Sequence, residues 1–110
     1  MGIRQERLAD QIRDVIARCF QGGQMQDPRL SNVTITAVKL SADLQLASIY
    51  FRVYEVDKID NAKRGLQTAS GFLRKKLASH LDVRRVPELR FFYDESIEKA
   101  SRIEELLSKL

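Results

Sequence analysis

Apolar residues recur at helical spacing in three parts of the chain. The first stripe lies between Arg4 and Gln21, and Gly22-Gly23 then offers the left-handed cap that ends many helices. A second stripe extends from Ile59 to Leu81, and a third from Ile97 to Leu110. The first stripe consists of Leu8, Ile12, Val15, Ile16, Cys19 and Phe20. Each pattern predicts an amphipathic helix whose apolar side packs against a core.

A break divides the second stripe. Its apolar residues are Ile59, Ala62, Leu66 and Ala69 before the break, and Leu73, Leu77 and Leu81 after it. The segment between them is Ala69-Ser70-Gly71, and a glycine inside an uninterrupted helix costs about 1 kcal/mol relative to alanine. We therefore expect two helices that meet at an angle over Ala69-Ser70-Gly71.

Three segments alternate as strands do. Residues 33–38 are rich in β-branched side chains, and a change of phase before Val38 and Leu40 predicts a bulge or a strand buried on both faces. A short connection then predicts an antiparallel return over residues 46–54. In that second strand one face carries Ala47, Ile49, Phe51 and Val53, and the other carries Ser48, Tyr50, Arg52 and Tyr54. The third strand is marked by Leu89, Phe91 and Tyr93.

Two short polar segments border these elements. Asp27-Pro28-Arg29-Leu30 predicts a turn before the first strand, because proline fixes its own φ and keeps the preceding residue out of the helical region. Asp94 or Ser96 can cap the first amide groups of the last helix.

The predicted order is α-β-β-α-α-β-α, an α+β fold in which helices cover one face of a three-stranded sheet. A length of 110 residues, 44% of them apolar, predicts one globular domain over residues 1–110. A single cysteine, Cys19, excludes an internal disulfide framework and indicates a reducing compartment. The apolar runs are too short to span a membrane, and no secretory signal begins the chain. We therefore expect a cytoplasmic protein with no membrane partner.

Positive charge is concentrated in one segment. Between Lys63 and Arg90, eight basic residues stand against two acids, a net charge of +6, whereas the whole chain carries +4. A local positive potential of this kind indicates nucleic acid as a partner, although a charged helix is about as often only a solvated face. The eight residues are Lys63, Arg64, Arg74, Lys75, Lys76, Arg84, Arg85 and Arg90.

An α-β-β-α-α-β order with a glycine break between adjacent helices resembles a type II KH domain, an RNA-binding module. Most KH domains carry a Gly-x-x-Gly loop at that break, which lets a nucleic-acid backbone approach closely. This chain has Ala69-Ser70-Gly71 instead, which resembles the Ala-x-Gly kink of the ribosome-binding factor A family. Colinear segments strengthen this resemblance: Asp27-Pro28-Arg29-Leu30 with Val33-Thr34-Ile35-Thr36, Ser41-Ala42-Asp43-Leu44, Ala69-Ser70-Gly71-Phe72-Leu73-Arg74, Val86-Pro87-Glu88-Leu89-Arg90-Phe91, and Tyr93-Asp94-Glu95-Ser96.

The resemblance implies a non-enzymatic factor for assembly of the small ribosomal subunit. Members of that family bind 16S ribosomal RNA and the free small subunit during late maturation. They are associated with processing of the 5′ end of 16S ribosomal RNA and with adaptation to cold. An assembly GTPase is an expected partner, because it releases such factors. We also expect a monomer without a cofactor.

The resemblance places the nucleic-acid-binding residues around the break and the basic segment. These residues are Lys63, Arg64, Ala69, Ser70, Gly71, Arg74, Lys75, Lys76, Arg84, Arg85 and Arg90. Lys75 and Lys76 are expected to face solvent, because the apolar side of their helix is formed by leucines. A helix that begins at the break would also present unpaired amides to phosphate. Whether Arg4, Arg7, Arg29 and Arg52 take part stays open.

A second class of function is a protein-interaction module, in which the first or last helix docks on a partner and the basic segment only aids solubility. Tyr50, Arg52 and Tyr54 could stack bases, but we favour a merely exposed strand face. Cys19 is predicted to be a buried, inert thiol. His80 lies without metal-ligand spacing around it, so no metal or catalytic site is expected.

Overall fold

The computed structural model of the protein describes residues 2–23 and 25–110. In these residues the elements are α1 (Gly2–Gln21), β1 (Thr34–Leu40), β2 (Leu46–Arg52), α2 (Ile59–His80), β3 (Glu88–Tyr93) and α3 (Ser96–Ser108). Short 3-10 helices, Pro28–Leu30 and Val56–Lys58, precede β1 and α2. The α+β class and the three-stranded sheet are confirmed.

The prediction of two helices meeting at Ala69-Ser70-Gly71 is wrong. Helix α2 is uninterrupted from Ile59 to His80, so the order is α-β-β-α-β-α. Burial explains the continuity, since Leu66, Leu73 and Leu77 are fully buried on one side of the helix, before and after the glycine. Burying each leucine contributes about 1.5–3 kcal/mol, which outweighs the cost of about 1 kcal/mol for one helical glycine.

The sheet has the order β1-β2-β3, with β1 antiparallel and β3 parallel to β2. The register of β1 against β2 shifts between Ile35 and Ala37, which confirms the predicted bulge. Alternation in β2 is also confirmed, because Ala47, Ile49 and Phe51 are fully buried while the residues between them are half-buried.

One face of the sheet carries the core. Helix α1 packs against β1, helix α2 packs against β3, and the two helices contact each other. Fully or almost fully buried residues join the layers: Ile12, Ile16, Cys19, Ala47, Ile49, Phe51, Ala62, Leu66, Leu73, Leu77 and Phe91. The opposite face of the sheet, called the open face below, therefore receives neither of these helices.

Two turns hold the chain between α1 and β1. Gly23 has a φ of 71°, the left-handed conformation predicted for the end of the first helix. Asp27 caps the 3-10 helix Pro28–Leu30 by accepting the Arg29 amide at 2.9 Å, and it pairs with the Arg29 guanidinium at 2.6 Å. The predicted turn at these residues is confirmed.

Helix α3 differs from the other two in burial. The predicted apolar stripe is present, but none of its residues is buried. The large side chains Ile97, Ile103, Leu106 and Leu107 are 58–66% exposed. The expectation that this helix closes the core is therefore wrong, because periodicity predicts an apolar side without determining what covers it. None of the helices described is long and apolar enough to cross a lipid bilayer.

Candidate nucleic-acid interface

The basic residues of α2 are distributed around the helix by its rotation of roughly 100° per residue. Arg64, Gly71 and Lys75 face away from the buried leucines and are exposed. These three residues form the outer surface of α2. From Arg64 to Lys75 the helix rises by about 16 Å, a length that several phosphates of a nucleic-acid backbone can follow.

Lys63 and Arg74 lie on the side of α2 that meets β3. Arg74 is exposed, and its Nη2 donates to the carbonyl oxygen of Val86 at 3.2 Å. Lys63 is half-buried, with its Nζ 5.9 Å from the centroid of the Phe92 ring. Lys63 is thus positioned by β3 and Arg74 by the segment leading into it, and both flank the outer surface of α2.

Lys76 lies on the other side of α2, toward α1. It is half-buried, with its Nζ 5.6 Å from the Phe72 ring centroid. Burial raises the pKa of the Cys19 thiol in α1, and the Lys76 ammonium opposes that rise. Lys75 is exposed as predicted, whereas Lys76 is only partly exposed and points to a different side of α2, because consecutive helical residues point about 100° apart.

The expected phosphate site on unpaired amides at Ala69-Ser70-Gly71 is absent from α2. Because the helix continues through this segment, its amides are engaged in helical hydrogen bonds. Ala69 packs against the core, and the Ser70 hydroxyl donates to the carbonyl oxygen of Gln67 at 2.8 Å. Gly71 alone of the three is exposed, and a Cβ placed there would meet no atom within 4 Å. A polyanion can therefore approach the helix closely at Gly71.

Arg84 and Arg85 lie apart from α2, in the connection to β3. Both are exposed, and both line a groove of about 430 Å³ that Arg4 of α1 also lines. Asp43 and Asp82 also line this groove, so its charge is mixed. The positive segment of the sequence is accordingly divided in space rather than gathered into one patch.

Arg90 projects from the open face of the sheet, opposite to the outer surface of α2. Its Nε lies 3.7 Å from the Glu88 carboxylate, and both side chains are more than half exposed. In the sheet register Arg90 is the partner of Ser48, and Phe92 is the partner of Tyr50. The open face thus carries aromatic and basic side chains together.

A polar cluster joins the open face to the start of α3. Asp94 accepts a 2.6 Å hydrogen bond from the Thr36 hydroxyl and a 2.9 Å bond from the Ser96 amide. These bonds lower the pKa of Asp94 to about 2 and confirm the predicted capping role of Asp94. Arg52 donates to the Asp94 carbonyl oxygen at 2.6 Å and to the Glu98 carboxylate at 2.8 Å. Arg52 therefore has a structural role in orienting α3.

Comparison with known proteins identifies the fold just described. Residues 4–107 match the sequence model of ribosome-binding factor A. The chain belongs to the ribosome-binding factor A family. It is 40% identical to ribosome-binding factor A of Pelobacter propionicus over 111 residues, covering 100% of this chain and 90% of that one. The protein of Geobacter sulfurreducens is 39% identical over 108 residues, covering 97% and 91%.

Solved structures of ribosome-binding factor A share this architecture. The crystal structure from Thermus thermophilus is 30% identical, with a TM-score of 0.75 over 84% of this chain and 97% of that one. The solution structure of a putative ribosome-binding factor A from Thermotoga maritima is 31% identical, with a TM-score of 0.76 over 89% and 93%. A homology model of the Thermus thermophilus factor, fitted into a map of its complex with the 30S subunit, is 28% identical with a TM-score of 0.64 over 87% and 97%.

Sequence reasoning omitted two residues that this member of the ribosome-binding factor A family displays on its open face. Phe92 is 39% exposed, and Lys39 places its Nζ 5.5 Å from the Tyr50 ring centroid. The consecutive pair Phe91-Phe92 was the available signal, because strand alternation must turn one of the two rings away from the core. Within the described residues, no three histidine, cysteine or acidic side chains come together to hold a metal ion.

Proposed function

We propose that the protein is a non-enzymatic assembly factor that binds 16S ribosomal RNA in the free small ribosomal subunit and assists its late maturation. Membership of the ribosome-binding factor A family and the 30S complex of a structural neighbour support this proposal. At the level of residues, the main support for RNA binding is the outer surface of α2, where Arg64 and Lys75 flank an exposed glycine.

The outer surface of α2 suits the phosphate backbone for two reasons. Neither Arg64 nor Lys75 makes an ion pair within the described part of the chain, so both charges are available to a polyanion. The absence of a side chain at Gly71 leaves the helix backbone accessible between them. Lys63 and Arg74 extend the surface on the β3 side, whereas Arg84, Arg85 and Arg90 would serve as separate contacts.

A charge-reversal pair tests the outer surface of α2. We expect R64E/K75E to fold like the parent, because surface changes usually alter stability by about 0.5 kcal/mol or less each. Co-sedimentation with purified small subunits should be lost. The matched control is R13E/R18E on α1, which changes the net charge equally at two exposed residues and should retain co-sedimentation with small subunits. Retained binding by a folded R64E/K75E variant would refute the assignment.

Salt dependence supplies a second measurement. If about five basic side chains neutralise phosphates, log K should fall against log salt with a slope of roughly −3.5 to −4.5. The factor should also bind free small subunits better than assembled ribosomes, since an assembly factor leaves when maturation ends. Processing of the 5′ end of 16S ribosomal RNA, growth in the cold, a cytoplasmic location, a monomeric state and release by an assembly GTPase belong to the same proposal.

A second candidate function is protein interaction through α3. The observation that favours it is the exposed apolar side of this helix, which includes Ile103, Leu106 and Leu107. Exposed apolar patches of this kind often mark protein-binding surfaces. Replacing Ile103 and Leu107 with serine should leave binding to naked 16S ribosomal RNA unchanged. If this variant lost binding to small subunits but kept binding to naked 16S ribosomal RNA, α3 would be shown to contact a ribosomal protein.

A further inference from the structure

Two aromatic rings lie side by side on the open face of the sheet. Tyr50 of β2 and Phe92 of β3 are partners in the parallel register. Their ring centroids are 5.7 Å apart and their planes differ by 32°. Ala37 of β1 is the partner of Tyr50 on the other side, and its small side chain leaves that edge of the ring uncovered. The three residues form one row across the sheet.

Basic side chains form the next row. In the same register Lys39 of β1 is the partner of Ser48, and Ser48 is the partner of Arg90. Residues two apart on a strand are separated by about 6.6 Å, so the basic row runs parallel to the aromatic row at that distance. A third cation, Lys63 of α2, reaches the Phe92 ring from the edge of β3.

The ammonium groups rest on the rings without being held by acids. Lys39 Nζ is 5.5 Å from the Tyr50 centroid and Lys63 Nζ is 5.9 Å from the Phe92 centroid. Neither lysine makes an ion pair with the described residues. An exposed cation–π contact is worth only about 0.5–1 kcal/mol, so both lysines can move from the rings to a phosphate at small cost.

A groove of about 440 Å³ opens beside Tyr50. Its lining includes Lys39, Tyr50 and Lys99 together with Ala37, Asp94 and Glu95. Asp94 accepts hydrogen bonds from Thr36 and Ser96 but stays ionised, so two acids, Asp94 and Glu95, stand beside the two lysines. The space adjoining the ring is large enough for a planar heterocycle.

We propose that the open face binds single-stranded RNA, with unpaired bases stacked on Tyr50 and Phe92 and phosphates bound by Lys39, Lys63 and Arg90. Partly exposed rings beside basic side chains are the chemistry that recognises nucleotides without a paired partner. A base within a duplex exposes no ring face and is excluded. These five residues are called the platform. The platform rests on the proposed RNA-binding function and adds a second surface, on the face opposite to α2.

Neither Tyr54 nor Arg52, which share the strand face of Tyr50, belongs to the platform. Tyr54 lies beyond the end of β2 and is 91% exposed, with no ring partner among the described residues. Arg52 is committed to Glu98 and to the Asp94 carbonyl. Of the three residues of this strand face that could stack bases, only Tyr50 therefore belongs to the platform, together with Phe92.

A single tryptophan provides a direct readout, because the chain contains none. In Phe92→Trp the indole replaces a ring on the platform, and stacking of a base should quench its fluorescence. The probes are a ten-nucleotide oligouridylate, a blunt RNA duplex of the same length, and inorganic polyphosphate. We expect quenching by the single strand only. Equal quenching by polyphosphate would show an electrostatic surface without stacking and would overturn the proposal.

Affinity measurements on variants complete the test. Stacking is worth about 1–3 kcal/mol per base, so Y50L and F92L should each weaken oligouridylate binding roughly 5-fold to 150-fold. Y50F should bind like the parent, because it keeps the ring, and Y54L is the matched control off the platform. Thermal unfolding of each variant establishes that it is folded. Parent-like affinity of folded Y50L and F92L would refute the platform.

Failure of the platform can be distinguished from failure of the proposed function. If only the platform is wrong, Y50L/F92L binds the oligonucleotide like the parent, while R64E/K75E still loses small subunits. If the parent protein binds neither oligouridylate nor small subunits, the proposed function itself is wrong. Loss of oligouridylate binding in Y50L/F92L, with subunit binding reduced but retained, would support two separate surfaces.

Discussion

Gly71→Ala distinguishes a continuous α2 from two helices that meet at an angle. In the structure Gly71 lies in the helix, is exposed, and has no atom within 4 Å of the position that a Cβ would take. The alanine methyl group therefore meets nothing and adds no buried surface. The change acts on the backbone alone, by lowering the conformational entropy of the unfolded chain.

The expected effect is a stabilisation of about 0.8–1.0 kcal/mol, the difference between glycine and alanine in a helix interior. For a domain of this size the entropy of unfolding converts 1 kcal/mol into a rise of about 4 °C in Tm. Thermal unfolding followed by circular dichroism measures the change. An unchanged or lower Tm would refute the continuous helix, because alanine would then be opposing a bend that the native protein requires.

Gly23→Ala is the matched control of opposite sign. The φ of Gly23 is 71°, in the left-handed region, where an L-residue with a Cβ costs about 1–2 kcal/mol. The same substitution should therefore lower Tm at position 23 and raise it at position 71. If both substitutions changed Tm in the same direction, the change in Tm would not report the local backbone conformation at each glycine.

Two further predictions concern packing and pH. Gly65→Val should destabilise the fold by about 1–3 kcal/mol, because even a Cβ at this position would lie 3.0 Å from Leu30 Cδ2, whereas Gly71→Val should change Tm little. The pKa of Asp94 is lowered from 3.8 to about 2 in the folded protein, so its carboxylate contributes stability that is present above pH 4 and is lost as the pH falls from 4 to 2. The Tm difference between the parent and Asp94→Asn should shrink over that interval, and a difference independent of pH would argue against the Thr36 contact.

Much of the fold could be predicted from the local apolar pattern, because the structure buries the residues that this pattern marks. The two-residue period of β2 predicted its buried face, and the change of phase in β1 predicted the bulge at Thr36. These features depend on one strand and its burial. Because alternate residues of a strand must face the core, the apolar pattern determines both the buried face of β2 and the bulge in β1.

The continuity of α2 could not be predicted in this way, because it depends on competition between two effects. Local propensity opposes a helix through Gly71, and burial of Leu66 and Leu73 on a common side favours it. The sequence shows both effects but does not show how the leucines are oriented against the sheet. The resemblance to a kinked family then reinforced the wrong choice.

The candidate site was predicted as a set of residues but not as an arrangement. Net charge singles out the basic segment, yet the fold places Arg64 and Lys75 on one side of the protein and Arg90 on the other. Charge along a sequence carries no information about which face of a sheet or helix bears it. Lys39 was missed for the same reason, since it lies outside the basic segment and joins Arg90 only through the strand register.

The two proposed surfaces meet at the edge of β3 and would recognise different features of RNA. In this proposal the cations on α2 would contact phosphates, which are present in paired and unpaired RNA alike. The rings of the open face require bases that are free to stack. Lys63 belongs to α2, yet its ammonium lies over Phe92, so one strand of RNA passing the edge of β3 could engage both surfaces. Such a factor would prefer RNA in which a duplex adjoins an unpaired segment, and it would lose the platform contacts once maturation pairs that segment or covers it with protein.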